Sequence, residues 1–157
     1  PAQLPMELAL SKIRPLLEDP EQTIIGQNLK YDISVMGRHG VIIKAKIIDT
    51  MLESYVLKSV ASRHNMDDLA LNYLCLSTIH FEDIAGKGVK QLTFNQIELD
   101  KAGHYAAEDA DITFRLHQVL WPRLQAEGRL ASVYQDIEIH LVPILSDVDR
   151  GGVLLDE

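Results

Sequence analysis

The chain has 157 residues, 46% hydrophobic and 24% charged, enough to bury a core as one domain and too apolar for a disordered chain. Its formal net charge of −8 argues against a free-standing nucleic-acid binder, whose grip on phosphate comes from Lys and Arg releasing counterions. It leaves open carboxylates that meet phosphate through divalent cations. One cysteine, Cys75, excludes an internal disulfide framework, suits a reducing cytoplasm, and reads within Leu74-Cys75-Leu76 as a buried small hydrophobe. No apolar run reaches the length of a membrane span and no signal-peptide layout is visible. The opening at Pro1 without an initiator Met is what a processed or excised piece would show.

In chain order, Met6, Leu8, Leu10, Ile13, Leu16 and Leu17 predict an amphipathic helix over residues 6 to 17, with Pro15 disturbing its last turn. Thr23-Ile24-Ile25-Gly26 predicts a short buried strand. Gln27 to Asp32 follow at its end, then a helix carrying Ile33, Val35 and Met36 that stops near Gly37 and Gly40. Val41 to Ile48 read as a returning strand. That βαβ spacing implies a parallel pair with a right-handed crossover, and places polar residues at a strand's carboxyl end, where open α/β sheets put their sites.

Asp49-Thr50 is expected to cap a helix over Met51 to Lys58, and Asn65 or Asp67 another carrying Leu69, Ala70, Tyr73 and Leu74. Phe81 to Ala85 should be a short helix, and Thr93-Phe94-Asn95-Gln96 a capped turn. Gly86-Lys87-Gly88 is a basic loop too short to be a phosphate-binding P-loop. The longest helical pattern runs from Leu99 to Leu124, with Ala102, Ala106, Asp109, Leu116 and Leu120 on one face. Pro122 should bend or end it near Trp121, and Gly128 gives a second break. Leu130 to Val148 read as helix with Pro143 inside, and Arg150 to Asp156 as a turn entering a strand. Two strands alone make a marginal sheet, so further strands are implied.

Within the long helix, Tyr105 and Asp109 stand one turn apart. A carboxylate in a small, apolar stripe calls for a positive group or a metal to face it, unless this helix simply turns an acidic face to solvent. Asp32 after the strand is either a helix cap or a ligand. No Gly-x-Ser-x-Gly elbow, Cys-x-x-Cys pair or His-Glu-x-x-His occurs. His64, His80 and His104 lack partners at ligand spacing, which suits surface or capping roles better than zinc.

Asn28-Leu29-Lys30-Tyr31-Asp32 resembles the second exonuclease motif of the proofreading domains of bacterial family-A DNA polymerases, and Tyr105-Ala106-Ala107-Glu108-Asp109 resembles the third. The likeness extends over Asp49 to Tyr55, Ala85 to Gly88, Gln91 to Ile97 and Leu141-Val142-Pro143, nearly the whole chain. It implies a ribonuclease-H-like α/β exonuclease fold, helix-rich, and removal of nucleotides from a DNA 3′ end with two cations, Mg²⁺ or Mn²⁺. By the resemblance Asp109 is a direct metal ligand, Asp32 holds the second metal through water, and Tyr105 orients the attacking water, as in the tyrosine-type branch of the four-carboxylate exonucleases. It also implies DNA contacts at Asn28, Lys30, Tyr31, Arg63 and Phe81. Arg63 reads either as a phosphate contact or a surface salt bridge, and Phe81 either as a base-stacking surface or core packing.

The same resemblance divides the chain into an exonuclease domain, residues 1–149, and the lead-in to a polymerase domain, residues 150–157. That polymerase domain and the 3′ end of single-stranded DNA are then its partners, in a bacterial cytoplasm at the nucleoid. The family's first motif is an Asp-x-Glu on the opening strand, and the two such triplets here, Asp19-Pro20-Glu21 in a Pro-bearing break and Asp136-Ile137-Glu138 in a helical pattern, do not stand on one. The motif is expected upstream of Pro1 together with the opening strands, leaving this piece weak or inactive alone. Two alternatives remain: an exoribonuclease resembling ribonuclease D, and a degenerate exonuclease fold kept as a structural spacer.

Overall fold

The computed structural model describes residues 2–60 and 63–152. The chain opens with helix α1 (Met6–Leu17), strand β1 (Thr23–Gly26), helix α2 (Leu29–Arg38) and strand β2 (Lys46–Asp49). Short helices α3 (Thr50–Leu57), α4 (Met66–Leu69) and α5 (Phe81–Ala85) follow. A 28-residue helix, α6 (Leu99–Ala126), then crosses the molecule before α7 (Gly128–Val133) and α8 (Ile139–Gly151). The strands pair in parallel from Thr23↔Lys46 to Gly26↔Asp49, with α2 as the crossover. The core lies where Ile112, Leu116 and Leu120 of α6 meet Leu69, Ala70 and the flanking Leu57, Met66 and Leu74.

Several expectations change for identifiable reasons. The second strand is four residues long, because the backbone before it bonds elsewhere. The Val41 N–H donates to the Met36 carbonyl, and those of Lys44 and Ala45 to the Leu17 carbonyl. Asp32 lies inside the first turn of α2, whose N-terminal flank is Asn28, so it is not the cap. Pro15 and Pro122 both sit within continuous helices. Fully buried Leu120 and Leu124 anchor α6 on either side of Pro122, so packing overrides the local break. The expected helix over residues 130 to 148 is α7, a π-helical turn at Tyr134–Glu138, and α8. Cys75 is exposed, because it ends the π-helical turn Ala70–Leu74 in a left-handed conformation (φ 56°) facing solvent. Arg150 and Gly151 finish α8 instead of opening a turn, and the strand expected to follow lies outside the described residues.

Asp49, 1% exposed, joins the two halves of the βαβα unit. Its Oδ1 accepts the backbone N–H groups of Asn28 (3.1 Å), Met51 (2.9 Å) and Leu52 (3.4 Å), and its Oδ2 that of Leu29 (2.8 Å). One carboxylate therefore caps α2 from a neighbouring strand and α3 from its own N-cap position. Its own N–H donates to the Tyr134 hydroxyl at 2.9 Å. Burial pushes the Asp49 carboxyl up, and the four N–H bonds oppose that shift.

One turn further along α3, Glu53 is fully buried, with Oε1 2.7 Å from His117 Nδ1 and Oε2 without a partner. Burial raises Glu53 to about 8, with Asp49 adding to the shift, and lowers His117. Both shifts favour the uncharged forms of the two partners across this contact. His117 in turn stacks on Trp121, with ring centroids 6.4 Å apart.

Two outcomes follow for stability. Asp49→Ala leaves buried N–H donors at two helix starts unsatisfied and should lower stability by about 3 kcal/mol in urea unfolding. Because the folded Glu53 binds its proton more tightly than the unfolded chain does, its contribution is present at acid pH and is lost as pH rises towards 8. The urea midpoint should therefore fall between pH 5 and pH 8, and Glu53→Gln should flatten that fall.

Candidate active site

β1 ends in Gly26, where an added Cβ would collide with the buried Leu29 side chain, so glycine lets Leu29 fold back on the strand end with only two residues between β1 and α2. Asn28 adopts a left-handed conformation (φ 60°, ψ 48°) that asparagine tolerates, and α2 begins at once. This sharp entry sets Asp32 in the first turn of α2, at the carboxyl end of β1. α6 runs past β1 and presents Asp109 to the same space.

Asp32 and Asp109 line one cavity of about 540 Å³, whose other walls are mostly aliphatic, from Ile13, Leu17, Ile24 and Met36. Asp109 Oδ1 is buried and has no hydrogen-bond partner. Burial pushes the Asp109 carboxyl up. The Tyr105 hydroxyl opposes that shift, while the nearby Glu108 and Asp67 carboxylates reinforce it. Asp32 is likewise raised, first by burial and then by Asp49, against its own backbone N–H. The positive group expected to face Asp109 is missing: no Lys or Arg lines this cavity among the described residues. Ala106, on the face of α6 expected to pack, is exposed, as is Ala110, which lines the cavity.

Tyr105 stands beside Asp109, its hydroxyl held in the neutral form by burial and by that carboxylate. Phe81 meets it edge-on, with centroids 6.2 Å apart, and Phe94 lies 6.3 Å from Tyr105 and stacks on Phe81 at 6.5 Å. Phe81 also packs against the Ala85, Ile97 and Ala102 cluster, so core packing and a stacking surface coexist in one half-buried ring. Phe94 was not singled out from sequence. It is 48% exposed, and its place in the capped turn after Thr93 is the signal that could have found it.

The remaining expected contacts are dispersed. Asn28, Lys30 and Tyr31 line a groove on the other flank of α2 together with Asp149. Lys30 Nζ is 2.7 Å from Asp149 Oδ2, which turns it away from the Asp109 cavity. Tyr31 is 67% exposed. Arg63 is exposed and precedes His64, whose carbonyl accepts a hydrogen bond from Gln27 Nε2 at 2.7 Å. Gln27 lines the carboxylate cavity. Asp49 and Gln27 support the site in ways that no spacing in the sequence announces, because their partners lie 20 or more residues away.

The donor set suits hard divalent cations: carboxylate oxygens, one of them buried and unpartnered, in a cavity without a cation of its own. It is an incomplete set. Among the described residues no three His, Cys, Asp or Glu side chains converge as a metal site.

A short parallel sheet flanked by helices, with facing carboxylates at the carboxyl end of its strands, defines a ribonuclease-H-like exonuclease fold. Brucella melitensis NrnC shares it, with a TM-score of 0.69 at 21% identity over 88% of this chain and 63% of that one. NrnC bound to pGG gives 0.68 at 20% identity over 96% of this chain and 67% of that one. A model of the 3′-5′ exonuclease family matches residues 1–125, and the chain belongs to that family. DNA polymerase I of Pseudomonas aeruginosa is 55% identical over 99% of the chain, and that of Rhizobium leguminosarum 44% identical over 98%. The chain spans 17% and 15% of the length of these relatives.

Since one oxygen of Asp109 is buried without a partner and burial raises its carboxyl, neutralising it should help the fold when no cation is added. Asp109→Asn should raise the thermal midpoint in EDTA, and Mg²⁺ should stabilise the unsubstituted protein more than the variant.

Proposed function

We propose that this chain is the 3′→5′ exonuclease domain of a bacterial DNA polymerase I, which removes nucleotides from the 3′ end of single-stranded DNA during proofreading. Residues 1–149 form the exonuclease domain and residues 150–157 lead into the polymerase domain of the same polypeptide. The observation that carries the reading is the cavity shared by Asp32 and Asp109, with an unpartnered buried carboxylate oxygen and no Lys or Arg lining it among the described residues. The identity to DNA polymerase I sequences over nearly the whole chain supports DNA as substrate over RNA.

Asp109 and Asp32 hold two divalent cations, Mg²⁺ or Mn²⁺, and two further carboxylates come from an Asp-x-Glu motif upstream of Pro1. When bound, the cations stabilise negative charge on the attacking water and on the leaving oxygen. The Tyr105 hydroxyl, neutral beside Asp109, orients the water by accepting or donating a hydrogen bond. Phe81 supplies an aromatic face for the terminal base, a sequence-tolerant way to hold a single strand. Asn28, Tyr31 and Lys30 meet the strand on the other flank of α2, and Arg63 contacts phosphate at the rim. The net charge of −8 fits a domain that draws much of its grip on DNA from the rest of a longer protein in the bacterial cytoplasm.

The test is Mg²⁺-dependent shortening of 5′-labelled single-stranded DNA by this chain and by a version extended upstream. The extended protein should act from the 3′ end, and Asp109→Ala or Asp32→Ala should reduce its rate about a thousandfold, Tyr105→Phe about tenfold or more. The 157-residue chain alone should be weak. Faster shortening of RNA than DNA would favour an exoribonuclease, and a folded but inert extended protein a structural spacer.

A further inference from the structure

Between the π-helical turn and α5, three successive residues are tied down by two carboxylates. Thr78 Oγ1 donates to Asp67 Oδ1 at 2.6 Å, the Ile79 N–H donates to Glu108 Oε2 at 2.8 Å, and His80 Nδ1 lies 3.0 Å from Asp67 Oδ2. The next residue is Phe81, whose ring meets Tyr105 edge-on. Asp67 reaches this segment from α4 and Glu108 from α6, one residue before Asp109.

The two carboxylates do different work. Asp67 holds side chains, which can swing while the backbone shifts. Glu108 holds a backbone amide, and a charged acceptor makes that bond stronger than a neutral one would. Adjacent helical residues point about 100° apart, so Asp109 faces the cavity while Glu108 faces the segment leading to Phe81. Glu108 does not line the Asp32–Asp109 cavity. Because Glu108, Asp109 and Tyr105 ride on one helix, the bond to Ile79 sets where Phe81 stands relative to the other two.

We infer that Glu108 is a positioning residue of the exonuclease site: by clamping the Ile79 amide it fixes the Phe81 ring against Tyr105, where the terminal base of the strand stacks. This rests on the exonuclease reading above. A displacement of about 1 Å in a substrate-positioning group can cost about a hundredfold in rate, and without Glu108 the segment keeps the side-chain bonds from Asp67, the ring contacts and the His80 N–H bond to Asp83 Oδ2, which lies within α5 and moves with Phe81.

The test uses the natural full-length polypeptide and steady-state shortening of an oligothymidylate in Mg²⁺. Glu108→Ala should raise KM about tenfold and lower kcat less, with the Mg²⁺ dependence unchanged. Glu108→Gln, whose amide oxygen accepts the same bond, should recover most of that loss. The double variant Glu108→Ala/Phe81→Ala should be no worse than Phe81→Ala alone, because both act through one ring. If Glu108→Ala does not fold, Glu108→Met, of similar length and without an acceptor, takes its place. Additive losses, an unchanged KM, or a loss that extra Mg²⁺ rescues would each overturn the inference. Asp109→Ala run alongside separates the two claims: full activity there sinks the exonuclease reading, whereas lost activity with additive Glu108 and Phe81 effects sinks only the positioning role.

Discussion

The buried carboxylate of Asp49 holds two helix starts and one strand end in a single cluster of hydrogen bonds. A two-stranded sheet has little cohesion of its own, and here its carboxyl end is stiffened by an anion that satisfies four N–H groups. Through Asn28 and Leu29 that anion fixes the first turn of α2, and hence Asp32. The backbone N–H of the same residue, donating to the Tyr134 hydroxyl, also fixes the chain beyond α6. The site is thus built on a buried carboxylate that accepts four N–H bonds, while one oxygen of its own Asp109 has no partner. A stable frame supporting a destabilised reactive group is the arrangement expected where function and stability compete.

Much of the frame is readable from local signals. The strand Thr23–Gly26, the Asp49 cap and the helix Phe81–Ala85 follow from alternation, capping and breaker residues over a few positions. What misleads is tertiary competition: residues 41 to 45 look like strand by composition, yet their N–H groups find acceptors on α1 and α2. Pro122 looks like an end by local rule, yet two buried leucines carry α6 across it.

The site is legible in the same uneven way. Tyr105 and Asp109 are visible because helical spacing places them one turn apart, and Asp32 because it follows a strand. Their convergence on one cavity is not visible, since it depends on how α6 crosses β1. Glu108 shows the converse. Beside an aspartate in an acidic run it looks like spare charge, and only its bond to an amide 29 residues away gives it a purpose. Lys30 reads as a cation available for phosphate, whereas the fold pairs it with Asp149 on α8.

The stack of His117 on Trp121 gives the molecule an optical property of its own. Trp121 is the single tryptophan, and it lies on α6 twelve residues beyond Asp109, about 18 Å along an unbroken helix. Its indole stacks on the imidazole that is hydrogen-bonded to Glu53, and it leans on Tyr134 at 5.9 Å. Tryptophan fluorescence therefore reports on the far end of the helix, beside the Glu53–His117 pair, and is blind to events at the carboxylate cavity unless the rod between them moves.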